Sequence, residues 1–472
     1  MTLFGKSSRI LSVMSMEYKE FLERKAQTIP CCGFTFQRAE MNRNLFDWQK
    51  DIVSWALKKG KAALFEDCGL GKTIQQLEWC SIVSEYTGMP TMILAPLAVS
   101  RQTKKEGLKF GYEVNICRSQ KDVKPGINIS NYEMIEHFNL STFGGVVLDE
   151  SSILKNYSGE MRTQIIESCK GTAFKLSCTA TPAPNDYMEI GNQAEFLGVM
   201  TRSEMLATFF VHDSGETSKW RLKGHAQNDF WEWLASWAVV LTTPADLGYD
   251  GSQYVLPELN IQYVEVPSDL PLAATLSERR EARRKSLDSR CAAAARLVEK
   301  EPNAQWLMWC DLNDEADKLC SIVYGAREVR GSDSSDRKDV RLTAFTEGLI
   351  RRLVTKPSIA GFGLNWQKCH NMIFVGLSDS YEMLYQAIRR CWRFGQKQPV
   401  NVYIVISQAE GAVKENIIRK DEQCKAMIAE MVKHTKDILA ADIKATVRMT
   451  DLYEPTVDMT TPPWLIEGGY AA

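Results

Sequence analysis

At 472 residues, and with about 150 residues to an ordinary domain, the chain is too long for one core and fits two large domains or three small ones. Apolar residues make up 44% and charged residues 25%, which excludes a disordered, collagenous or low-complexity protein. The 57 basic residues nearly balance the 59 acidic ones, so a uniformly basic nucleic-acid coat is excluded while a local basic groove is not.

At the N-terminus, the apolar stretch Ile10–Met14 is too short for a signal peptide. No run approaches the roughly 18 apolar residues of a membrane helix, so no membrane partner is expected. The 13 cysteines are scattered, with no C-x-x-C pair, and read as reduced, mostly buried thiols of a cytoplasmic protein.

From residue 62, short apolar runs alternate with helical patterns. Ala62–Asp67, Thr91–Leu97, Ile127–Tyr132, Gly145–Glu150 and Phe174–Cys178 read as buried strands. Thr73–Glu85 and Gly159–Cys169 read as the helices between them. Such alternation predicts a parallel sheet covered by helices on both faces. Residues 186–238, rich in Trp, Phe and Met at helical spacing, read as a helical insertion. Residues 271–300 read as one long helix carrying Arg279, Arg280, Arg283, Arg284 and Lys285. It is either a solvated connector or a DNA-facing surface, and the connector is favoured. A second series follows: strands at Trp306–Cys310, Leu353–Thr355, Met372–Leu377 and Val400–Ile406, with helices at Asp314–Val323, Asp336–Thr346 and Tyr381–Arg390. The expected division is an N-terminal helical arm (1–40), a first α/β lobe (41–190), a helical insertion and linker (191–300), a second α/β lobe (301–435) and a poorly packed tail (436–472).

The strongest chemical signal is Asp67-Cys68-Gly69-Leu70-Gly71-Lys72-Thr73, between a strand and a helix. Gly69 and Gly71 let successive backbone N–H groups turn inward, and a helix N-terminus adds its dipole, which together cradle a phosphate. Lys72 can reach the β- and γ-phosphates, and the Thr73 hydroxyl can ligate Mg²⁺. The strict phosphate-loop pattern would place Gly at 66, where this chain has Glu66. Downstream, the strand Gly145–Leu148 delivers Asp149 and Glu150 at its C-terminal end, where open α/β sheets bind ligands. Asp149 would hold Mg²⁺, and Glu150 would orient or deprotonate the attacking water. Gln386, Arg390 and Arg393 are spaced i, i+4, i+7 and so share one helix face, an arrangement costly in a core and suited to a triphosphate. These residues point to phosphoryl transfer to water.

The motifs and their order resemble a superfamily-2 helicase of the Swi/Snf-type branch, and are similar above all to the compact Swi/Snf-like helicases of bacteriophages and prophages. The likeness runs from about residue 45 to about 420. That family writes its phosphate loop D-x-G-x-G-K-T, which accounts for the absent Gly at 66. The resemblance implies two tandem RecA-like lobes, with ATP and Mg²⁺ bound in the cleft between them. It implies that Cys68, Gly69, Leu70, Gly71, Lys72 and Thr73 surround the nucleotide. Gln49, in Leu45-Phe46-Asp47-Trp48-Gln49, would read adenine, although it could equally begin a helix. Ala95-Pro96-Leu97, Ser130-Asn131 and Lys155-Asn156 resemble motifs of the first lobe, and would place Pro96, Ser130, Asn131 and Asn156 on nucleic acid. Ser152 stands where the family writes His. Thr179 and Thr181, in Thr179-Ala180-Thr181-Pro182, would couple hydrolysis to grip, or simply form turns. In the second lobe the resemblance puts Arg330, Gly331, Thr355 and Lys356 on DNA, Gly363 at the nucleotide, and Gln386, Arg390 and Arg393 in catalysis, the two arginines as fingers. The implied activity is an ATP-dependent DNA translocase, monomeric, with duplex preferred over single strands and over RNA as its track. The alternative is an ATP-gated DNA clamp with little processive motion. A setting in a bacterial host cytoplasm or nucleoid, beside phage or host replication and recombination proteins, is also implied.

Overall fold

The computed structural model describes residues 32–96, 99–156, 159–213, 216–273, 275–361, 364–378 and 380–447. Six strands of the first lobe follow in chain order: β1 (Lys61–Glu66), β2 (Thr91–Ala95), β3 (Val114–Ile116), β4 (Ile127–Asn131), β5 (Gly145–Asp149) and β6 (Phe174–Thr179). A hairpin, β7 (Phe210–Asp213) and β8 (Glu216–Leu222), stands apart from them. Then β9 (Ala238–Leu241) returns to the first sheet, completing the all-parallel order β3-β4-β2-β5-β6-β1-β9. The second lobe is a parallel sheet of β10 (Leu259–Val266), β11 (Trp306–Cys310), β12 (Arg327–Glu328), β13 (Arg352–Thr355), β14 (Asn371–Val375) and β15 (Val400–Ser407), in the order β10-β15-β14-β11-β13-β12. The molecule thus consists of two tandem α/β lobes, each a parallel sheet.

Central strands such as β1, β2 and β5 are mostly apolar because both their faces are buried. Alternate residues of β1 enter opposite cores: Ala62 and Leu64 join one, and Ala63 and Phe65 the other. Helix Asp47–Lys59 belongs to the first of these layers through Ile52, Val53 and Trp55, and ends at Gly60, whose φ of 76° suits a residue without Cβ.

Residues 191–300 are not the helical insertion expected. They contain the hairpin, the edge strand β9 of the first sheet and the edge strand β10 of the second. The long helix expected over 271–300 is two helices, Leu276–Lys285 and Leu287–Lys300, which meet at Ser286. The break is held locally, since the Ser286 hydroxyl donates to the Ala282 carbonyl and accepts from Arg290 Nε. Arg283 does not belong to a solvated face: it pairs with Asp311 at 2.6 Å and with the buried Glu410 at 3.3 Å.

The end of the chain also differs from expectation. Residues 436–447 are the last turns of the helix Gly411–Val447, whose 37 residues span about 55 Å at the usual rise. Its start contributes Val413, Ile417 and Cys424 to the second-lobe core. Further on, Met431 and Val432 enter one core of the first lobe, and Leu439 and Ile443 the other. Near the end, Asp442 accepts from Trp55 Nε1 at 2.8 Å and pairs with Lys59 at 2.9 Å. One helix therefore braces both lobes. Of the expected N-terminal helical arm, residues 1–31 lie outside the described residues. The rest holds one short 3₁₀ turn, Arg38–Glu40, and Phe34 stacked on Tyr86.

If that docking holds the lobes together, Leu439→Ala leaves a cavity in a packed core. Urea unfolding of the full chain should then show a loss of about 2–5 kcal/mol. An unchanged midpoint would mean that the end of the helix does not bear on the first lobe.

Candidate ATP site between the lobes

The phosphate loop leaves β1 and enters the helix Lys72–Thr87. Gly69 and Gly71 have φ of 95° and 81°, the left-handed region that side chains avoid. At Gly71 a Cβ would also lie 2.4 Å from Gln49 Nε2. Gln49 anchors the loop: its amide donates to the Leu70 carbonyl at 2.8 Å and accepts from Phe46 N–H at 3.0 Å. Both ends of this buried amide are thus engaged within the protein, and in this conformation it presents no face to a base. Lys72 rests on backbone oxygens, those of Glu66 at 2.6 Å and Asp67 at 3.1 Å. Glu66 itself points into the interior, where Gln75 donates to it at 2.8 Å and burial pushes its carboxyl up to about 7. The departure from Gly at 66 therefore leaves the cradle untouched.

The two carboxylates stand at the end of β5. Asp149 accepts from Gln76 Nε2 at 2.8 Å, and its carbonyl accepts from the buried Tyr132 hydroxyl at 2.7 Å. Glu150 has φ of 55°, the one positive value outside glycine among the described residues. Such backbone costs of order 1–3 kcal/mol and persists where packing enforces it. Burial raises both carboxyls. Glu150 reaches about 7, since the Asp149 charge adds to desolvation and outweighs Lys72 and Arg390.

The second lobe supplies the opposite wall. Gln386 Nε2 lies 3.5 Å from Glu150 Oε2, at the limit of a hydrogen bond, while its buried Oε1 has no partner. Helix Tyr381–Ile388 ends before Arg390, so the expected single helix face from 386 to 393 is not continuous. A turn brings the three together instead. Arg390 donates to the carbonyls of Gln386 and Leu364, at 3.0 and 3.3 Å, and Arg393 donates to the same Leu364 carbonyl at 3.1 Å. Burial and the neighbouring Arg390 push the Arg393 guanidinium down to about 10. Two adjacent cations whose hydrogen bonds end on carbonyls, with Arg393 Nε buried and unpartnered, form a site shaped for an anion. They line one cleft with Cys68, Gly69, Gly71, Lys72, Thr73, Asp149 and Glu150. Those residues fit Mg²⁺-bound ATP: loop amides, Lys72 and the arginines for phosphates, and Thr73 and Asp149 for the cation. Leu70 is buried beneath the loop, and Gly363 lies outside the described residues.

Most of the residues expected on nucleic acid sit at or just beyond the C-terminal ends of strands, while Asn156 follows the 3₁₀ turn Ser151–Lys155, and not all face outward. Ser130 and Thr355 are 1% exposed, and their hydroxyls donate inward to the carbonyls of Cys117 and Val329. Hydroxyls are short and readily satisfied by a neighbouring strand, so these two turn inward and not toward a nucleic acid. Pro96, Asn131 and Lys356 are half-buried, and Asn156 and Gly331 are exposed. Asn131 donates to Glu133 at 2.8 Å. Arg330 is held by Glu328 and Asp317, and the Gly331 carbonyl accepts from Lys338. Thr179 and Thr181 are buried beside the phosphate loop, with Thr181 N–H donating to Thr179 Oγ1 at 3.1 Å. Two site residues escaped the sequence reading. Gln76, one turn beyond Thr73, orients Asp149, and Arg389 reaches the phosphate loop from the second lobe. The i, i+3 spacing from Thr73 could have marked Gln76 out, whereas Arg389 lies off the face read as functional.

Comparison with known proteins bears on the second lobe. Residues 289–395, which include Gln386, Arg390 and Arg393, match the helicase conserved C-terminal domain. Among curated proteins, the "Bifunctional helicase and thymine dioxygenase JBP2" of Leishmania infantum is 34% identical over 83 residues, 17% of this chain, and its namesakes in Leishmania tarentolae and Leishmania major match equally. The aligned segment spans only 8% of the length of those relatives. Among solved structures, the Sulfolobus solfataricus SWI2/SNF2 ATPase core in complex with dsDNA aligns over 91% of this chain and 100% of its own, at 17% identity and a TM-score of 0.41.

A base must be ionised to accept a proton, and the Glu150 carboxyl is raised, so its active fraction grows as pH rises through about 7. kcat/KM for ATP should therefore climb across that range and level off above it. Glu150→Gln should lower hydrolysis by at least about 10²-fold while ATP still binds. Loss of nucleotide binding together with hydrolysis would instead make Glu150 a structural residue or a metal ligand.

Proposed function

We propose that this protein is an ATP-dependent DNA translocase that hydrolyses ATP between its two lobes. The observation that carries the proposal is the pair Arg390 and Arg393, held on carbonyls and facing Asp149 and Glu150 across the lobe boundary. The helicase C-terminal domain that contains these arginines supports the same reading.

In this scheme Lys72 leaves the carbonyls of Glu66 and Asp67 for the β- and γ-phosphates. Thr73 and Asp149 hold Mg²⁺, which when bound offsets phosphate charge. Gln76 keeps Asp149 oriented. Glu150 positions the attacking water and takes its proton, with Gln386 beside it. Arg390 and Arg393 exchange the Leu364 carbonyl for the charge that develops on the γ-phosphate. Because these groups belong to different lobes, the site is complete only when the cleft is shut, and hydrolysis releases it. Pro96 and Asn131 of the first lobe and Lys356 of the second stand at strand ends, and Asn156 follows the 3₁₀ turn Ser151–Lys155; an alternating grip on DNA phosphates from these positions would turn each cycle into movement. Such contacts are salt-sensitive and largely blind to sequence. The Swi/Snf-type motif set favours duplex DNA as the track.

The test compares ATPase rates without nucleic acid and with single-stranded DNA, duplex DNA and RNA. Duplex should stimulate most, and indifference to every nucleic acid would refute the translocase. Lys72→Ala should abolish turnover under all four conditions. Arg393→Ala should lower kcat by about 10³-fold or more while ATP affinity changes little, and Arg393→Lys should restore little, since an ammonium lacks the planar fork. Weakened DNA binding with normal hydrolysis in Arg393→Ala would place that residue on the DNA.

A further inference from the structure

The phosphate loop is held from both sides, by different means. One side forms the cleft with Lys72, Thr73 and the two fingers. On the other side, Asp67, the first residue of the loop, meets the second lobe directly. Arg389 Nη2 donates to Asp67 Oδ2 at 2.7 Å and also to the Cys68 carbonyl. Tyr385 Oη donates to Asp67 Oδ1 at 2.5 Å, and the same oxygen accepts from Cys68 N–H at 2.6 Å. One carboxylate therefore shapes the first turn of the loop while taking donors from the opposite lobe.

Arg389 is built into place. It is 2% exposed, and its guanidinium lies 4.9 Å from the Trp392 ring centroid and 5.8 Å from that of Tyr385. Trp392 is fixed in turn by donating to the Pro257 carbonyl at 2.7 Å. The backbones meet as well, since a Cβ on Gly69 would come within 3.1 Å of Phe394 N. Arg389 does not line the nucleotide cleft. It lines a separate cavity between the lobes, with Asp67, Tyr385, Trp392, Phe65 and Lys436.

We propose that Arg389, with Tyr385, is a positioning residue that clamps Asp67 from the second lobe, so that the binding shape of the phosphate loop and closure of the lobes are a single event. The clamp acts through Asp67 and Cys68 and never touches the nucleotide. It rests on the assignment of the cleft as an ATP site. It also separates two neighbouring arginines by task, with Arg389 shaping the loop while Arg390 serves the phosphate. An ammonium at 389 would keep the charge but sits on a shorter stem and lacks the flat guanidinium that packs on the Trp392 and Tyr385 rings.

The test uses the full chain and the variants Asp67→Asn, Arg389→Gln, Arg389→Lys and the double Asp67→Asn/Arg389→Gln. The amide in Asp67→Asn still accepts from Cys68 N–H, so the loop turn survives while the charge pair is lost. Each of Asp67→Asn and Arg389→Gln should raise KM for ATP by about tenfold or more, the usual cost of losing a hydrogen bond to a charged group. kcat at saturating ATP should fall far less, because Glu150, Arg390 and Arg393 remain. The double variant should be no worse than the worse single one, since both break the same link. Arg389→Lys should fall between wild type and Arg389→Gln. Small-angle scattering without nucleotide should show both single variants expanded relative to wild type. Unchanged KM in Asp67→Asn, effects that multiply in the double variant, or lowered thermal stability with normal KM and dimensions would each overturn the clamp. If Arg389→Gln fails to fold, Asp67→Asn decides alone. Failure of the ATP-site assignment reads differently: Lys72→Ala would then match wild type, whereas a dead Lys72→Ala beside normal clamp variants defeats the clamp only.

Discussion

Two guanidiniums, Arg390 and Arg393, face two buried carboxyls, Asp149 and Glu150, with no direct contact strong enough to satisfy either pair. The arginines hold a shared carbonyl, and the carboxyls are pushed toward neutrality by burial. Charges kept apart in a half-dry cleft are costly, and a protein retains them where a ligand completes the arrangement. Magnesium-bound triphosphate would do so, with negative oxygens for the arginines and a cation for Asp149. The rest of the structure can be understood as the means of keeping these groups opposed and incomplete.

Sheet topology achieves much of that. All strands of the two lobe sheets run parallel, so their C-terminal ends lie along one edge of each, and the loops that leave them gather there. Register brings the parts of the first lobe together: Phe65 lies opposite Thr179, and Asp149 opposite Cys178, so phosphate loop, carboxylates and the threonine turn are adjacent. The second lobe is brought over that edge by contacts outside the cleft. Lys155 pairs with Glu382, and the helix Gly411–Val447 runs from one core into the other. In the proposed cycle, opening would have to accommodate that helix, by bending or undocking at its first-lobe end.

Much of the fold and of the candidate site was legible in the sequence, for a physical reason. Central strands such as β1 and β5 are buried on both faces and so are written as unbroken apolar runs, and the phosphate loop is fixed by backbone demands that only Gly69 and Gly71 meet. The elements that escaped lie at edges. β3 and β12 are too short to carry a period, β9 hides in a Trp-rich helical stretch, and β10 is half exposed, so its Leu259, Ile261 and Tyr263 alternate with polar residues. The long helix Gly411–Val447 was not read from the sequence, because its packing face changes partner midway, from one lobe to the other. At the site, spacing found Gln386, Arg390 and Arg393 although the helix ends before Arg390. It could not show that Ser130 and Thr355 turn inward, because the direction of a hydroxyl depends on which strand lies next to it.

The central claim is that one active site is shared by both lobes. The most direct measurement is the structure of the full chain with Mg²⁺, ADP and a planar analogue of the transferring phosphate. The account predicts that the guanidiniums of Arg390 and Arg393 leave the Leu364 carbonyl and lie about 3 Å from the analogue's oxygens, with Glu150 on the attacking water. Nucleotide held by the first lobe alone, with both arginines still on Leu364, would contradict it.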